Sequence, residues 1–136
     1  MIEKLEAIGV TEKDIIHFKD GIPGFEEYKD YVLLQEDDVE FIMTMQYIEE
    51  DMPSFIVLDP SAFIQNYSPE LSEHDKDYFD GETDLKYLLM TIIPKDMNDT
   101  VVNLKAPIVI NPKTNKAKQV ILENKDYPVR CRLFNV

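Results

Sequence analysis

Tryptophan is absent from this chain, cysteine occurs once and glycine four times in 136 residues. A single cysteine, Cys131, excludes an internal disulfide, so the sequence points to a reducing compartment and a cytosolic protein. No apolar run approaches the ~20 residues that a membrane-spanning helix needs. The opening "MIEKLEAIGVTEKD" has no apolar core and carries acids early, unlike a secretory signal. Neither a membrane-spanning nor a secreted protein is expected from these features.

Bases are scarce where acids are dense. Residues 26 to 84 hold 18 acids against two bases, Lys29 and Lys76, so this segment alone carries a charge of −16. Phosphate backbones would be repelled by such a surface, and direct nucleic-acid binding is not expected. A basic protein surface is the natural complement, steered in by the field. Such charge also keeps a small domain soluble and favours a monomer.

A chain of this length is large enough to bury about 68% of its unfolded surface around one core. No linker, repeat or low-complexity stretch divides it, so residues 1–136 read as a single domain. The pattern is mainly one of strands: "IIHF" (15–18), "YVLLQ" (31–35), "FIMTMQY" (41–47), "SFIVLD" (54–59), "LKYLLMTIIP" (85–94), "VVNL" (101–104), "PIVIN" (107–111), "AKQVIL" (117–122) and "VRCRLF" (129–134). All are short, rich in β-branched or aromatic residues, and bounded by turn residues. "PIVINPKTNKAKQVIL" reads as a hairpin in which Asn115 can take a left-handed turn position. One helix is expected over 68–79, with Ser68 as N-cap and Pro69 in the first helical position. The expected fold is all-β, a small antiparallel barrel-like or sandwich domain with one short helix.

Two of the four glycines flank one proline in "FKDGIPGFEEY", residues 18 to 28. This is no phosphate loop, because the Lys-Ser/Thr of a P-loop is missing and Asp20, Glu26 and Glu27 would repel phosphate. Gly21 and Gly24 can take positive φ and Pro23 suits a type I or II turn, so the stretch reads as an elbow. "HDKDYFDGETD", residues 74 to 84, fails as a calcium loop. With Gly81 in the sixth position, the first, third and twelfth fall on Lys76, Tyr78 and Tyr87. His17 and His74 have no metal-ligand spacing, and no nucleophile elbow surrounds any serine. Cys131 alternates with Arg130 and Arg132 and is expected to be a buried thiol facing the same way as Val129 and Leu133. The acid runs "EDD" and "EED" are by default solvated faces. No catalytic residue, cofactor or metal site is expected, although a metal-dependent carboxylate enzyme using residues 74 to 84 is an alternative.

The stretches "FKDGIPGFEEYKDYVLL", "DMPSFIVLDPSAFIQNYSPELSEHD" and "VVNLKAPIVINPKTNKAKQVILENKDYPVR" together resemble the flagellar assembly factor FliW family, in the family's order from Ile15 to Arg130. The segment Met45-Gln46-Tyr47 departs from the Leu-Gln-Ser often found there. The resemblance implies a non-enzymatic cytosolic protein that binds flagellin and, when free of it, binds CsrA. CsrA is a basic RNA-binding homodimer that represses translation, so flagellin export would be coupled to flagellin synthesis. A flagellin-specific export chaperone without a regulatory partner is the alternative. On this reading, Glu49, Glu50 and Asp51 would face the basic partner, and apolar anchors would come from Ile22, Phe25, Met45, Tyr47, Phe63 and Tyr67. Gln46, Asn66 and Asn103 would supply hydrogen bonds. Each of these residues could equally serve the core or the local backbone.

Overall fold

The structure is a computed structural model and describes residues 1–36 and 39–134. Its strands are β1 (Ile16–Phe18), β2 (Asp30–Glu36), β3 (Val39–Tyr47), β4 (Ser54–Leu58), β5 (Lys86–Ile92), β6 (Val101–Val102), β7 (Ile108–Asn111), β8 (Lys116–Gln119) and β9 (Cys131–Arg132). Seven of them close into a barrel in the order β4-β3-β2-β1-β8-β7-β5, with β5 returning to β4; β6 and β9 extend the sheet beyond β5. Closure pairs β4 with β5 and so covers two edges that would otherwise invite pairing with another chain, leaving the two-residue β9 at the end of the sheet. Every pairing is antiparallel except one. β1 runs parallel to β8, with His17 opposite Lys116 and Phe18 opposite Ala117, which the antiparallel expectation did not contain. The two strands are nearly a hundred residues apart, so no hairpin dictates their direction.

Alternation along the strands sorts the core. Ile16 faces Tyr31 across β1 and β2, Tyr31 faces Tyr47, Met45 faces Phe55, Val57 faces Met90 and Leu88 faces Ile108. These pairs fill the barrel interior. Three apolar clusters cover its outside. Leu5 packs with Ile15, Val32 and Ile48; Leu58, Leu89, Val102 and Leu104 lie beneath Phe63 and Tyr67; Phe79 packs with Val109, Val120 and Leu122. Burial of the other strand face explains why several strands read as nearly continuous apolar runs.

Two short helices carry parts of these covers. α1 (Glu3–Ala7) was not expected, because five residues are too few to show a helical period. Gly9 closes it at φ +89°, with the Gly9 and Val10 amides donating to the Glu6 and Leu5 carbonyls. α2 (Glu73–Tyr78) starts four residues later than expected. Ser72, not Ser68, is its N-cap, accepting from the Asp75 amide at 3.2 Å; Ser68 instead donates its own amide to the Tyr127 hydroxyl. Asp75 is buried and pairs with Lys118 on β8 at 2.6 Å, which ties α2 to the barrel. α2 ends with Asp80 at φ +59° and Gly81 at φ +73°, their amides donating to the Asp77 and Lys76 carbonyls. The "DYFDG" sequence therefore terminates a helix.

The hairpin at residues 107–122 forms as β7 and β8, with Asn115 at φ +61°. Cys131 is half-buried rather than buried, and Val129 is exposed. β9 is a two-residue strand at the sheet's end, and Val129 precedes it in a loop and leaves the expected alternation, while Cys131 and Leu133 do pack against the same outer cluster. The acids Asp37 and Asp38 of the "EDD" run lie outside the described residues.

Candidate functional site

The elbow joins the end of β1 to the start of β2, and the same end of the barrel receives the end of β3 and the start of β4. The Phe25 amide donates to the Ile22 carbonyl at 2.6 Å, and Gly24 takes φ +88°. Positive φ at the third residue makes this a type II turn. Gly21 lies at φ +68°, and a Cβ there would stand 2.5 Å from the Glu26 Cα, so only glycine lets the chain fold back this closely. The turn drives Ile22 into the core and leaves Phe25 38% exposed above it.

Aromatic rings fill this mouth. Phe25 meets Phe55 edge-on at 5.1 Å, Tyr28 meets Tyr47 at 5.0 Å, and Tyr31 meets Phe18 at 5.4 Å and Tyr47 at 5.9 Å. Such edge-to-face contacts stabilise beyond simple burial. The Tyr31 hydroxyl is enclosed and has no hydrogen-bond partner among the described residues. Burial, with smaller contributions from Tyr47 and Tyr28, pushes its pKa up to about 12.

Acids rim the mouth. Burial raises the Tyr47 pKa first, and the charges of Glu50, Glu49 and Asp30 raise it further, which sets the acidic turn beside the aromatic rings. Glu26 accepts from the Gly24 amide at 2.9 Å, and that bond lowers its pKa. Gln46 holds the acidic turn. It is buried, and its Nε2 donates to the carbonyls of Tyr47, Glu50 and Asp51, each at 3.0 Å. Lys4 of α1 reaches Asp51 at 2.9 Å, an exposed pair of little energetic weight.

Of the residues singled out in the sequence, Ile22, Phe25, Met45, Gln46, Tyr47, Glu49, Glu50 and Asp51 come together at this mouth. Ile22, Met45 and Gln46 are enclosed there, so they shape the surface from beneath, while Phe25 and the three acids are exposed and Tyr47 is half-buried. Phe63, Asn66 and Tyr67 belong to a different region, the loop that covers the outer face of β4 and β5. Phe63 packs on Phe41 at 4.6 Å, and the Tyr67 hydroxyl donates to the Leu104 carbonyl at 2.7 Å. Asn66 is exposed at φ +61°, a turn position. Asn103 follows β6, and its Oδ1 accepts from the Lys105 and Ala106 amides at 3.1 and 3.0 Å. Two residues of the mouth were not singled out, Tyr28 and Phe55. Their aromatic character was visible, but their position depends on the register of Met45 with Phe55.

Among the described residues, no group of three or more histidine, cysteine or acidic side chains is arranged to hold a metal ion. No helix among them is long and apolar enough to cross a membrane. What the mouth offers is an aromatic surface with a negative border, which suits contact with another macromolecule.

A sequence profile described as FliW protein matches residues 2–133. The flagellar assembly factor FliW of Geobacillus sp. (strain WCH70) is 37% identical over 129 residues, covering 93% of this chain and 89% of that protein. The flagellar assembly factor FliW of Caldanaerobacter subterraneus subsp. tengcongensis is 36% identical over 128 residues, covering 90% and 84% of the two chains. Among solved structures, a crystal structure of the flagellar assembly factor FliW superposes with a TM-score of 0.86 at 34% identity, covering 93% of this chain and 90% of that one. With the barrel, the elbow and nearly the whole length matched, this chain belongs to the FliW family.

Proposed function

We propose that this chain is a cytoplasmic, monomeric flagellar assembly factor that works by binding rather than by catalysis. It takes flagellin and, when free of flagellin, takes the translational repressor CsrA. The observation that carries the regulatory half is the acidic turn Glu49–Glu50–Asp51, held by Gln46 at the edge of the aromatic mouth. A basic RNA-binding dimer is the electrostatic complement of that turn. Bound beside the RNA site, the −16 segment would also repel incoming phosphates. Charge of this kind sets association rate and salt sensitivity, while affinity needs apolar anchors, for which Phe25 and Tyr47 stand in place.

The test is a titration of a CsrA–RNA complex with this protein, read by RNA release, at roughly 50 and 300 mM salt, on either side of the range where surface charges are screened, with and without flagellin. Release that weakens with salt and is reversed by flagellin is the expected result. Absence of release at both salts, with flagellin still bound, would instead leave an export chaperone for flagellin.

A further inference from the structure

We propose that the uncovered edge of β2, at Leu33 and Gln35, is a docking site for an extended segment of another protein. That segment adds a strand to the sheet and sets an acidic side chain against Lys13 and Lys86. The site lies at the opposite end of the barrel from the aromatic mouth, so it goes beyond the proposed function and does not depend on it.

β2 has seven residues but β1 has three, and their ladder ends at Ile16 opposite Tyr31. Continued, it would set Asp14 opposite Leu33. Instead the chain before β1 winds into a 3₁₀ turn over Glu12–Asp14. There the Asp14 amide donates to the Thr11 carbonyl at 3.0 Å and the Ile15 amide to the Glu12 carbonyl at 3.3 Å. The Asp30 carbonyl accepts from the Ile48 amide on the β3 side, and the Lys29 carbonyl accepts from the Phe18 amide on the β1 side. Successive residues of a strand alternate in this respect, so Val32 and Leu34 bond to β3 while the amides and carbonyls of Leu33 and Gln35 face the uncovered side. Neither has a backbone hydrogen-bond partner there among the described residues.

A slot of about 520 Å³ opens along this edge. It is lined from both faces of β2, by Leu34 with Val10 on the outside and by Leu33 with Ile16 and Ile110 on the inside. An added strand sends alternate side chains to the two faces and meets an apolar wall with each. A helix spends its backbone groups internally and has none along its length to offer Leu33 and Gln35, so the unpaired edge selects a strand.

Charge selects what the strand carries. Lys13 and Lys86 line the slot, and neither forms a salt bridge with a described carboxylate, whereas Lys113 and Lys116 pair with Glu82 and Asp80. Asp14 also lines the slot, but its Oδ2 already accepts from the Thr11 amide at 2.9 Å. A carboxylate in the incoming strand complements the two lysines. A second copy of this chain fits poorly, because two β2 edges meeting would bring both pairs of lysines together and each chain carries a net −13.

The probe is a fluorescein-labelled peptide of about eight residues, alternating valine and threonine with one central glutamate. Its binding is followed by anisotropy up to about 1 mM peptide and by amide hydrogen exchange read by NMR. The Leu33 and Gln35 amides, open in the free protein, should slow about tenfold or more on binding, while those of Val32 and Leu34, already bonded to β3, should not change. Lys13→Glu combined with Lys86→Glu, both at exposed positions, should weaken the glutamate peptide about tenfold or more. A peptide with lysine in place of the glutamate should bind that double variant better than it binds the wild type. Absence of binding, or binding without slowing at Leu33 and Gln35, would overturn the proposal. Equal binding of a peptide N-methylated at every backbone amide would overturn it as well. So would slow exchange at those two amides that grows with protein concentration and needs no peptide, by giving the edge to a second copy.

Discussion

The side-chain amide of Gln46 lies 3.0 Å from the Asp51 carbonyl oxygen, and through that bond the end of β3 holds the acidic turn. The same nitrogen serves the Tyr47 and Glu50 carbonyls. A polar side chain inside an apolar run thus replaces the ladder partners that the chain loses where it leaves the sheet.

Gln46→Leu keeps the volume but removes the donor shared by the Tyr47, Glu50 and Asp51 carbonyls. It should lower stability by about 1 kcal/mol, read by denaturant unfolding. Amide exchange at residues 47–51 should rise with it. Unchanged exchange there would show that the turn is held by other contacts.

The two elbow glycines should differ. Gly24→Ala meets nothing within 4 Å and suffers only the positive-φ strain, about 1 kcal/mol. Gly21→Ala adds to that strain a Cβ placed 2.5 Å from the Glu26 backbone, so it should cost clearly more and displace the elbow. Thermal melting of the two variants side by side checks the order.

Tyr31→Phe removes a buried hydroxyl that has no partner, so stability at neutral pH should stay the same or rise by up to about 1 kcal/mol. At high pH the two proteins should part. An unfolded tyrosine ionises near pH 10, whereas folded Tyr31 holds its proton to about 12. Its contribution is therefore complete below pH 10 and is lost as pH rises from there towards 12. Removing this group should flatten part of the alkaline stability loss. Tyr47, Tyr67 and Tyr87, also shifted upward by burial, supply the rest.

Reversing Glu49, Glu50 and Asp51 to lysine should weaken CsrA binding by about tenfold or more at low salt and much less at high salt. All three side chains are exposed, so circular dichroism and melting should show an intact fold. Unchanged affinity at low salt would remove this turn from the interface.

Much of the architecture follows from local rules. Period-two alternation marked the strands, and Asn115 marked the β7–β8 hairpin. The spacing Gly21-Ile22-Pro23-Gly24 marked a turn because only such residues accept its dihedrals. The helix start was misjudged by four residues because Ser68 and Ser72 are both good caps. The choice fell to Tyr127, 59 residues away, which takes the Ser68 amide.

Composition and short-range pattern alone specify an acidic, strand-rich domain with a turn at residues 21–25, since charge, propensity and turn chemistry act between near neighbours. The parallel pairing of β1 with β8, the burial of Met45 and Gln46, the exposure of Phe25 and the slot along β2 arise only when the barrel closes. Whether a side chain becomes core or contact surface depends on which distant strand covers it, and that is settled by packing between residues far apart in the chain.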